Sequence, residues 1–433
     1  MADIKKDQNR DELFRTIYKI ATDLVHAGHV SEWDFKSYVL GTMFYRYISE
    51  NFAAYINVGE HAAGNTDFDY AKMSDEEAES AREGLVQEKG FFILPSELFC
   101  NVRARADKDE NLNETLERVF NHIESSAASG EAENDFAGLF DDFDVNSKSI
   151  GETVAKRNKV LAELLNGVEK MPLFSTDGIN PDLFGDAYEY LMGMYAANAG
   201  KKGGQYFTPA DVSELLARLG TIGKTRINKV YDPACGSGSL LLKVEKVLGK
   251  DNIEQGFFGQ EIDLTTYNLC RINMFLHNID FDKFSIVRED ILLSPQHWDD
   301  QPFELIVSNP PYFVDALRCP DNQRCMARHT SELNYELLFG HSAYLLSEQG
   351  VISIIIPAEV ERTVIDTAWK YNFHPHRRLH VFTKPGKPCR RVLLTFGRQS
   401  ISCIEDSLYI EGEKHEQFTP EYIALTKDFY LKM

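Results

Sequence analysis

The amino-acid sequence predicts an α/β fold in which an α-helical N-terminal domain precedes a mostly parallel sheet with an antiparallel hairpin at one edge. Three observations support this prediction. Apolar residues recur at helical spacing through about the first 170 residues. After Asp182, short apolar runs alternate with amphipathic stretches, as in parallel βαβ units. Near the end of the chain, two apolar runs are separated only by Lys384 to Pro388, a linker too short for a crossover helix.

The predicted helical domain comprises residues 1–173. Its first helix has apolar residues three or four positions apart: Leu13, Ile17, Ile20, Ala21 and Leu24. Ser74 followed by Glu77 is the pattern of a capping box, which predicts the start of a further helix. The acidic stretch within residues 125–144 is predicted to be a solvated surface, with mimicry of nucleic acid as the alternative.

The predicted second domain comprises residues 174–400, and residues 401–433 are predicted to be a C-terminal tail. Its strands are predicted at 230–232, 256–262, 285–287, 303–308, 351–356, 379–382 and 391–396. Its helices are predicted at 183–194, from Pro209 onwards, and at 240–248, 264–277 and 336–347. The last two strands form the antiparallel hairpin.

Composition narrows the class of protein. The chain has 433 residues, 43% of them apolar and 26% charged, as in soluble globular proteins, and no apolar run reaches the length of a membrane span. A polar N-terminus and seven scattered cysteines favour a cytoplasmic protein with reduced thiols, without disulfides or a metal site. Because the net charge is −21, contact with nucleic acid requires either a local basic surface or a partner subunit.

A short motif follows the strand at 303–308: Asn309-Pro310-Pro311-Tyr312. The two prolines end the strand and make a rigid turn at its carboxyl end, where open α/β sheets bind ligands. The Asn309 side-chain oxygen and the Pro310 carbonyl can both accept hydrogen bonds from one exocyclic amino group. Tyr312 can stack on the ring that carries this group. The alternative is a proline-rich turn without chemistry.

A glycine-rich turn follows the strand that ends at Asp232: Asp232-Pro233-Ala234-Cys235-Gly236-Ser237-Gly238-Ser239. The glycines let the backbone approach a ligand closely, and the motif matches neither the triphosphate loop nor the dinucleotide pattern. An acidic residue before the glycines suits a cationic amino group, such as that of S-adenosylmethionine. Glu261 ends the next strand and is placed for a ribose diol, and Asp290 follows the third strand and is placed for an adenine amino group.

A further motif precedes these two in the chain: Gly204-Gln205-Tyr206-Phe207-Thr208-Pro209. On all of these motifs together, residues 1–312 resemble the modification (M, HsdM-type) subunit of type I restriction-modification systems. Members of that family are DNA adenine-N6 methyltransferases with a helical N-terminal domain and a Rossmann-like catalytic domain. The resemblance implies S-adenosylmethionine as cofactor and Asn309 to Tyr312 as the holder of a flipped adenine. It implies cofactor contacts by Gln205, Tyr206, Phe207, Thr208, Pro209, Ala210, Gly236, Ser237, Gly238, Ser239 and Glu261.

Residues 313–433 instead resemble the C-terminal part of the bacterial adenine-N6 methyltransferase that modifies a valine tRNA. The likeness lies in Ala327 to Thr330 and Lys384 to Leu394, so we interpret the chain as a chimera joined at Asn309 to Tyr312. Independently, Asn372 to Arg398 contains seven Lys or Arg and no acid, which predicts a phosphate-facing surface, with the charged ends of an ordinary hairpin as the alternative. The candidate nucleic-acid contacts are Arg377, Arg378, Lys384, Lys387, Arg390 and Arg391.

We therefore predict a site-specific DNA adenine-N6 methyltransferase. The resemblance implies DNA as substrate, a specificity (S) subunit and a restriction (R) subunit as partners, and two modification subunits per specificity subunit. No membrane partner is expected. Three alternatives remain: a tRNA adenine-N6 methyltransferase, a protein glutamine methyltransferase, which also uses Asn-Pro-Pro-Tyr, and a non-catalytic assembly subunit.

Overall fold

A computed structural model describes residues 12–20, 34–127, 132–175, 178–179, 183–185, 187–192, 208–291, 294–310, 335–412 and 417–426. The chain divides into two compact units. The first comprises Met1–Asn198 and Arg271–Asp282, and the second comprises Ala199–Cys270 and Lys283–Met433. The domain limits given above, 1–173, 174–400 and 401–433, stay a prediction.

The first unit is built mainly from helices. They are α1 (12–20), α2 (Asp34–Ala62), α3 (Asp75–Glu79), α4 (Arg82–Lys89), α5 (Phe99–Arg105), α6 (Leu112–Ala127), α7 (Glu133–Phe136) and α8 (Val154–Glu169). The remaining elements are 3-10 turns at Tyr70–Lys72, Pro95–Glu97 and Ala106–Lys108, an antiparallel pair of β1 (Phe174–Ser175) and β2 (Gly178–Ile179), and helical residues 183–185 and 187–192. The predicted capping box is confirmed, since the Ser74 and Glu77 side chains each accept the other residue's backbone N–H at 3.3 Å.

Aromatic side chains fill the core of this unit. Tyr45 on α2 meets Phe99 and Phe120 edge-on, with ring centroids 5.6 and 5.5 Å apart. Phe120 in turn stacks on Phe140 at 4.2 Å. Phe140 lies in the stretch whose acids we predicted to form a solvated surface: Asp141 and Asp144 are exposed, in agreement with that prediction, whereas Asp135 and the phenylalanines of the stretch are buried. The apolar area of these phenylalanines outweighs the local run of acids. Of the face predicted for α1, Leu13, Ile17 and Ile20 are buried, whereas Ala21 and Leu24 lie outside the described residues.

The second unit contains an eight-stranded sheet and the helices that cover it. The strands are β3 (Ile227–Asp232), β4 (Ile253–Glu261), β5 (Phe284–Arg288), β6 (Phe303–Ser308), β7 (Leu346–Pro357), β8 (His374–Phe382), β9 (Arg391–Gly397) and β10 (Ile404–Tyr409). The helices are α9 (Ala210–Thr221), α10 (Ser239–Leu248), α11 (Leu264–Leu276, of which the part from Arg271 belongs to the first unit), α12 (Tyr335–Leu345), α13 (Glu361–Lys370) and α14 (Pro420–Thr426). The 3-10 turns are Lys250–Asn252, Phe281–Lys283 (mostly in the first unit) and Ala358–Val360.

The strand order is β10-β8-β9-β7-β6-β3-β4-β5, and every pair is parallel except the two that involve β9. The predicted fold class, a mostly parallel sheet with an antiparallel hairpin toward one edge, is confirmed. The hairpin of β8 and β9 is not outermost, because β10 pairs with the far side of β8. The sequence predicts no strand there because Ile404 to Tyr409 lacks an apolar run, and the structure shows these residues to be largely exposed.

The strand order reverses direction at β3. From β3 the chain proceeds to β4 and β5 on one side, and it returns to β6 and β7 on the other. Such a switch point opens a crevice at the carboxyl ends of the two central strands, which here end at Asp232 and Ser308. Of the helices in the described part of the chain, none is both long enough and apolar enough to cross a membrane.

Candidate active site

Asp232 ends β3 with its side chain fully buried. One carboxylate oxygen, Oδ1, accepts the N–H of Ala234 at 3.1 Å, whereas Oδ2 has no hydrogen-bond partner among the described residues. Burial raises the pKa of the Asp232 carboxyl to about 7, the Ala234 N–H and the neighbouring Ser308 hydroxyl oppose this rise, and the Glu261 carboxylate adds to it. A buried acceptor without a donor is costly, so this oxygen suits a ligand that brings a donor or a positive charge.

The glycines after Asp232 adopt backbone conformations that other residues rarely take. Gly236 has φ +55° and Gly238 has φ +80°, and Gly238 is the residue before the first turn of α10. A Cβ added to Gly236 would meet no described atom within 4 Å, so open space lies beside the backbone at this point. The turn therefore offers room for a ligand. Ser237 is buried, and the Ser239 hydroxyl lies 3.3 Å from that of Ser213 on α9.

Glu261 ends β4 and is tied to this turn. Its Oε2 accepts the N–H of Gly236 at 3.1 Å, and its Oε1 accepts the N–H groups of Ile262 and Asp263, each at 2.9 Å. Burial raises the pKa of the Glu261 carboxyl, while these backbone bonds oppose the rise. A carboxylate has about four acceptor positions, so three are engaged by the protein and capacity for a hydroxyl remains. The sequence indicated Glu261 as a ligand contact but did not indicate that it shapes the glycine turn.

Asp290 lies half-buried in the loop after β5, and its backbone oxygen accepts the N–H of Ser294 at 2.8 Å. This loop is anchored by Gln260, a fully buried residue that sequence reasoning missed. Gln260 Nε2 donates to the carbonyls of Glu289 and Ser294 at 3.1 and 3.0 Å, and its Oε1 accepts the N–H of Gln296 at 3.1 Å. A glutamine at the end of an otherwise apolar buried strand is the signal that could have identified it.

Asn309 follows β6 directly. Its Nδ2 donates to the Thr208 hydroxyl oxygen at 3.0 Å, so the Asn309 amide is held by the segment that leads into α9. Pro209 stands immediately before α9, as predicted, and Ala210 is its first residue. Pro310 is buried and Asn309 is partly exposed. The predicted site residues Gln205, Tyr206, Phe207, Pro311 and Tyr312 lie outside the described residues.

The structure brings these predicted residues together in two direct contacts, Gly236 with Glu261 and Thr208 with Asn309. The buried Asp232 oxygen and the open space at Gly236 fit a ligand with a cationic amino group, as S-adenosylmethionine has. Among the described residues, no group of three or more His, Cys, Asp or Glu is placed to hold a metal ion.

The basic residues predicted to contact nucleic acid lie elsewhere, on β8, on its connection to β9 and at the start of β9. Arg378 is ion-paired with Glu361 at 2.8 Å and also with Glu405, so its charge is neutralised. Lys387, Arg390 and Arg391 are exposed, and Lys384 is half-buried. On the side of β8 that carries Arg378 the charge is therefore neutralised, and the basic residues that stay exposed are those of the connection between the two strands and its end.

Comparison with known proteins gives two family matches. Residues 179–361 match the model of the N-6 DNA methylase family, and residues 13–168 match that of the HsdM N-terminal domain. The chain is 41% identical over 378 residues to the type I restriction enzyme MpnII methylase subunit of Mycoplasma pneumoniae, covering 81% of this chain and 68% of that protein. It is 38% identical over 225 residues to a tRNA1(Val) (adenine(37)-N6)-methyltransferase of Phocaeicola vulgatus, covering 47% of this chain and 95% of that one.

The matches to the methylase subunit and to the tRNA methyltransferase are both longer than the parts of the chain in which we predicted these resemblances. The first exceeds residues 1–312 and the second exceeds residues 313–433, so the two likenesses overlap. Among solved structures, the type I restriction-modification methyltransferase subunit from Streptococcus thermophilus superposes with a TM-score of 0.75, covering 97% of this chain and 92% of that one. Its sequence identity is 22%, so this likeness supports the fold.

Proposed function

This chain belongs to the N-6 DNA methylase family and is an adenine-N6 methyltransferase, and we propose that it methylates adenine in DNA as the modification subunit of a type I restriction-modification system. The methyl donor in this proposal is S-adenosylmethionine. The observation that favours it most is that Asn309 follows β6, the parallel neighbour of β3, whose carboxyl end leads into the glycine turn.

The residues of the glycine turn would hold the cofactor. The buried Asp232 carboxylate would pair with its amino group, and the backbone from Gly236 to Ser239 would lie against its methionine part. Glu261 would accept a ribose hydroxyl, and Asp290, on the loop that Gln260 anchors, would face the adenine. Gln205 to Ala210 complete the proposed contacts. When bound, S-adenosylmethionine supplies an electrophilic methyl group on a sulfonium.

The target adenine would be held by Asn309 and Pro310. Its exocyclic nitrogen is a weak nucleophile, because the lone pair is delocalised into the ring. Two acceptors, the Asn309 side-chain oxygen and the Pro310 carbonyl, would localise this pair on nitrogen and orient it for in-line attack. Held in this way, the nitrogen would take the methyl group from the sulfonium, which would leave as a neutral thioether, and the nitrogen would afterwards lose its proton to water. This sequence of events requires no strong base.

The base must leave its helix or loop to reach Asn309. Unstacking costs a few kcal/mol, and stacking on Tyr312 would offset part of this cost. The net charge of −21 disfavours unaided binding of DNA, which supports assembly with a specificity subunit and, in the proposed complex, two modification subunits per specificity subunit. A restriction subunit would complete the system.

A tRNA adenine-N6 methyltransferase is the second candidate. It is favoured by the match to nearly the whole length of such an enzyme and by the basic connection from Lys384 to Arg391. The chemistry at Asn309 would be the same, and only the bound nucleic acid would differ. A protein glutamine methyltransferase and a non-catalytic subunit remain outcomes of the experiment below.

Methyl transfer from labelled S-adenosylmethionine to duplex DNA, to tRNA and to protein tests the proposal. We expect transfer to DNA when a cognate specificity subunit is added, and little or none with the chain alone. Transfer to tRNA by the isolated chain, abolished in a double variant with Arg390→Ala and Arg391→Ala, would establish the second candidate instead. Transfer to protein alone, or to none of the three in any combination, would contradict both.

A further inference from the structure

A recess of about 180 Å³ lies in the second unit, away from the candidate active site. It is formed where α9 ends and where β8 and β10 begin. These are the amino ends of parallel strands, whereas Asp232 and Asn309 lie at the carboxyl ends of β3 and β6. The apolar part of the lining is made by Leu219, Ile222, Val351, Ile401 and Ile404.

Three of these lining residues are unusually exposed for β-branched apolar side chains. Ile222 is 49% exposed, Ile401 is 52% exposed and Ile404 is 47% exposed. A cluster of exposed apolar residues with polar neighbours is typical of an interaction site. The recess has room for one large apolar side chain, since an apolar cavity of about 150 Å³ takes up benzene.

The polar part of the lining is basic. Lys224, His376 and Arg377 contribute to it, and a register shift in the pairing of β8 with β9 falls at His376. The His376 ring fits only because residue 397 is glycine, since a Cβ there would lie 2.3 Å from Cε1 of the ring. His376 Nε2 donates to the Gln399 carbonyl at 2.8 Å and so holds the chain that leads to Ile401.

Among the described residues, Arg377 has no partner for its side chain, unlike its neighbour Arg378. Arg378 forms ion pairs with Glu361 and Glu405 on the other face of the sheet. Arg377 is half-buried, and none of the residues that the structure describes forms a hydrogen bond or ion pair with its side chain. A partly desolvated guanidinium favours a carboxylate, whose two oxygens match its planar fork.

β10 adds a second binding element. It is the last strand of the sheet, and no other described strand pairs with its outer edge, although Thr419 donates a hydrogen bond to the Tyr409 carbonyl at the far end of β10. Ile404, at the start of β10, is the register partner of Arg377, so the recess lies directly beside this edge. An unpaired edge can accept a further strand from another chain, with backbone hydrogen bonds for affinity and side-chain recesses for specificity.

We propose that this recess and the β10 edge bind an extended acidic segment of another protein chain. One large apolar side chain of the segment occupies the recess, and a neighbouring carboxylate pairs with Arg377 and Lys224. Nucleic acid is the poorer match, because the phosphate backbone offers nothing to cover Ile222, Ile401 and Ile404. The proposal is independent of methyl transfer, which takes place at the opposite end of the strands.

The test uses random linear peptides displayed on phage and selected on the full-length wild-type chain. We expect the selected peptides to share Asp or Glu next to a large apolar residue. In fluorescence anisotropy with one such synthetic peptide, Arg377→Glu and Ile401→Asp should each weaken binding by about tenfold or more. The control is Arg390→Glu, the same charge change outside the recess, which should leave peptide affinity unchanged.

The proposal is overturned if no acidic and apolar consensus emerges, or if the peptide binds Arg377→Glu and Ile401→Asp as it binds the wild type. It is also overturned if Arg377→Glu weakens binding of a labelled RNA or duplex DNA oligonucleotide as strongly as Arg390→Glu does. Thermal melting establishes that each variant is folded. If one of the two fails to fold, the other and Lys224→Glu still decide the outcome.

Discussion

The Asn309 side-chain amide donates a hydrogen bond to the Thr208 hydroxyl, with 3.0 Å between Nδ2 and Oγ1. This bond fixes the orientation of the Asn309 side-chain amide, because only its nitrogen can donate a hydrogen bond. The proposed acceptor for the target amino group is the other end, Oδ1. Thr208 therefore acts as a positioning residue for Asn309, in addition to the cofactor contact that the sequence predicted.

Replacing Thr208 by valine removes this acceptor at nearly constant volume. We expect kcat to fall between about threefold and tenfold, the equivalent of one ordinary hydrogen bond, with little change in the dissociation constant of S-adenosylmethionine. Thr208→Ser keeps the hydroxyl and should retain most of the rate. Weaker cofactor binding at unchanged kcat would instead make Thr208 a cofactor contact alone.

Asn309→Ala removes one of the two proposed acceptors for the target amino group. We expect the methylation rate to fall by on the order of 10²–10³, as for a lost hydrogen-bonding group that acts in the transition state. Cofactor affinity, measured by calorimetry, should remain close to that of the wild type. A variant that methylates at the wild-type rate would refute the catalytic assignment of Asn309.

Gly236→Val should abolish binding of S-adenosylmethionine, because its side chain would occupy the open space beside the glycine turn. The positive φ at this position adds backbone strain, so a control with equal strain is needed. Gly223 has φ +78° and also has no described atom within 4 Å of an added Cβ. Gly223→Val should therefore show similar destabilisation in thermal melting but normal cofactor affinity. If Gly236→Val binds S-adenosylmethionine with the same normal affinity as Gly223→Val, the cofactor must bind elsewhere.

The raised pKa of Asp232 predicts that cofactor binding depends on pH. With a pKa of about 7, the carboxyl is largely protonated at pH 6, and an incoming cationic amino group favours its ionised form. Binding should therefore release a proton, and affinity should rise between about pH 6 and 7.5, below the usual pKa of an α-amino group. Calorimetry in buffers of different ionisation enthalpy measures this proton release. Asp232→Asn should bind weakly at every pH and release no proton from this site.

The same pKa has a consequence for folding stability. A carboxyl whose pKa is higher in the folded than in the unfolded chain makes the folded state bind more protons between the two values. Its contribution to the free energy of unfolding is therefore largest below about pH 4 and decreases as the pH rises to about 7. Asp232→Asn should flatten this part of the stability profile, as measured by denaturant unfolding across the range.

The central strands and their polar ends were predictable because they follow strong local signals. The limits of β6 agree with the sequence prediction, since an apolar run is ended there by two prolines. The glycine turn and Glu261 follow from the same logic. β10 was missed because edge strands need no apolar pattern, and its pairing with β8 is a property of the assembled sheet.

Contacts between distant segments were also missed. Thr208 and Asn309 are about a hundred positions apart, and the sequence predicted both residues but not their bond. Gln260 directly precedes the predicted contact Glu261, yet its three bonds to the loop that contains Asp290 depend on how that loop folds back. The sequence prediction placed Arg377 and Arg378 on one basic surface. They lie on opposite faces of the sheet, because successive side chains of a strand alternate between its two faces.

The three backbone N–H groups that Glu261 accepts bear on how quickly and how selectively a ligand can bind. Two of them, from Ile262 and Asp263, hold the Glu261 carboxylate in place, and the third, from Gly236, ties the glycine turn to it, so that binding involves less further loss of conformational entropy in the turn. A turn that is already ordered binds ligands whose shape complements it and does not change its own conformation to accommodate others. Loss of this carboxylate would leave the glycines free to sample many conformations, and association would then slow because most encounters would meet a turn in the wrong shape.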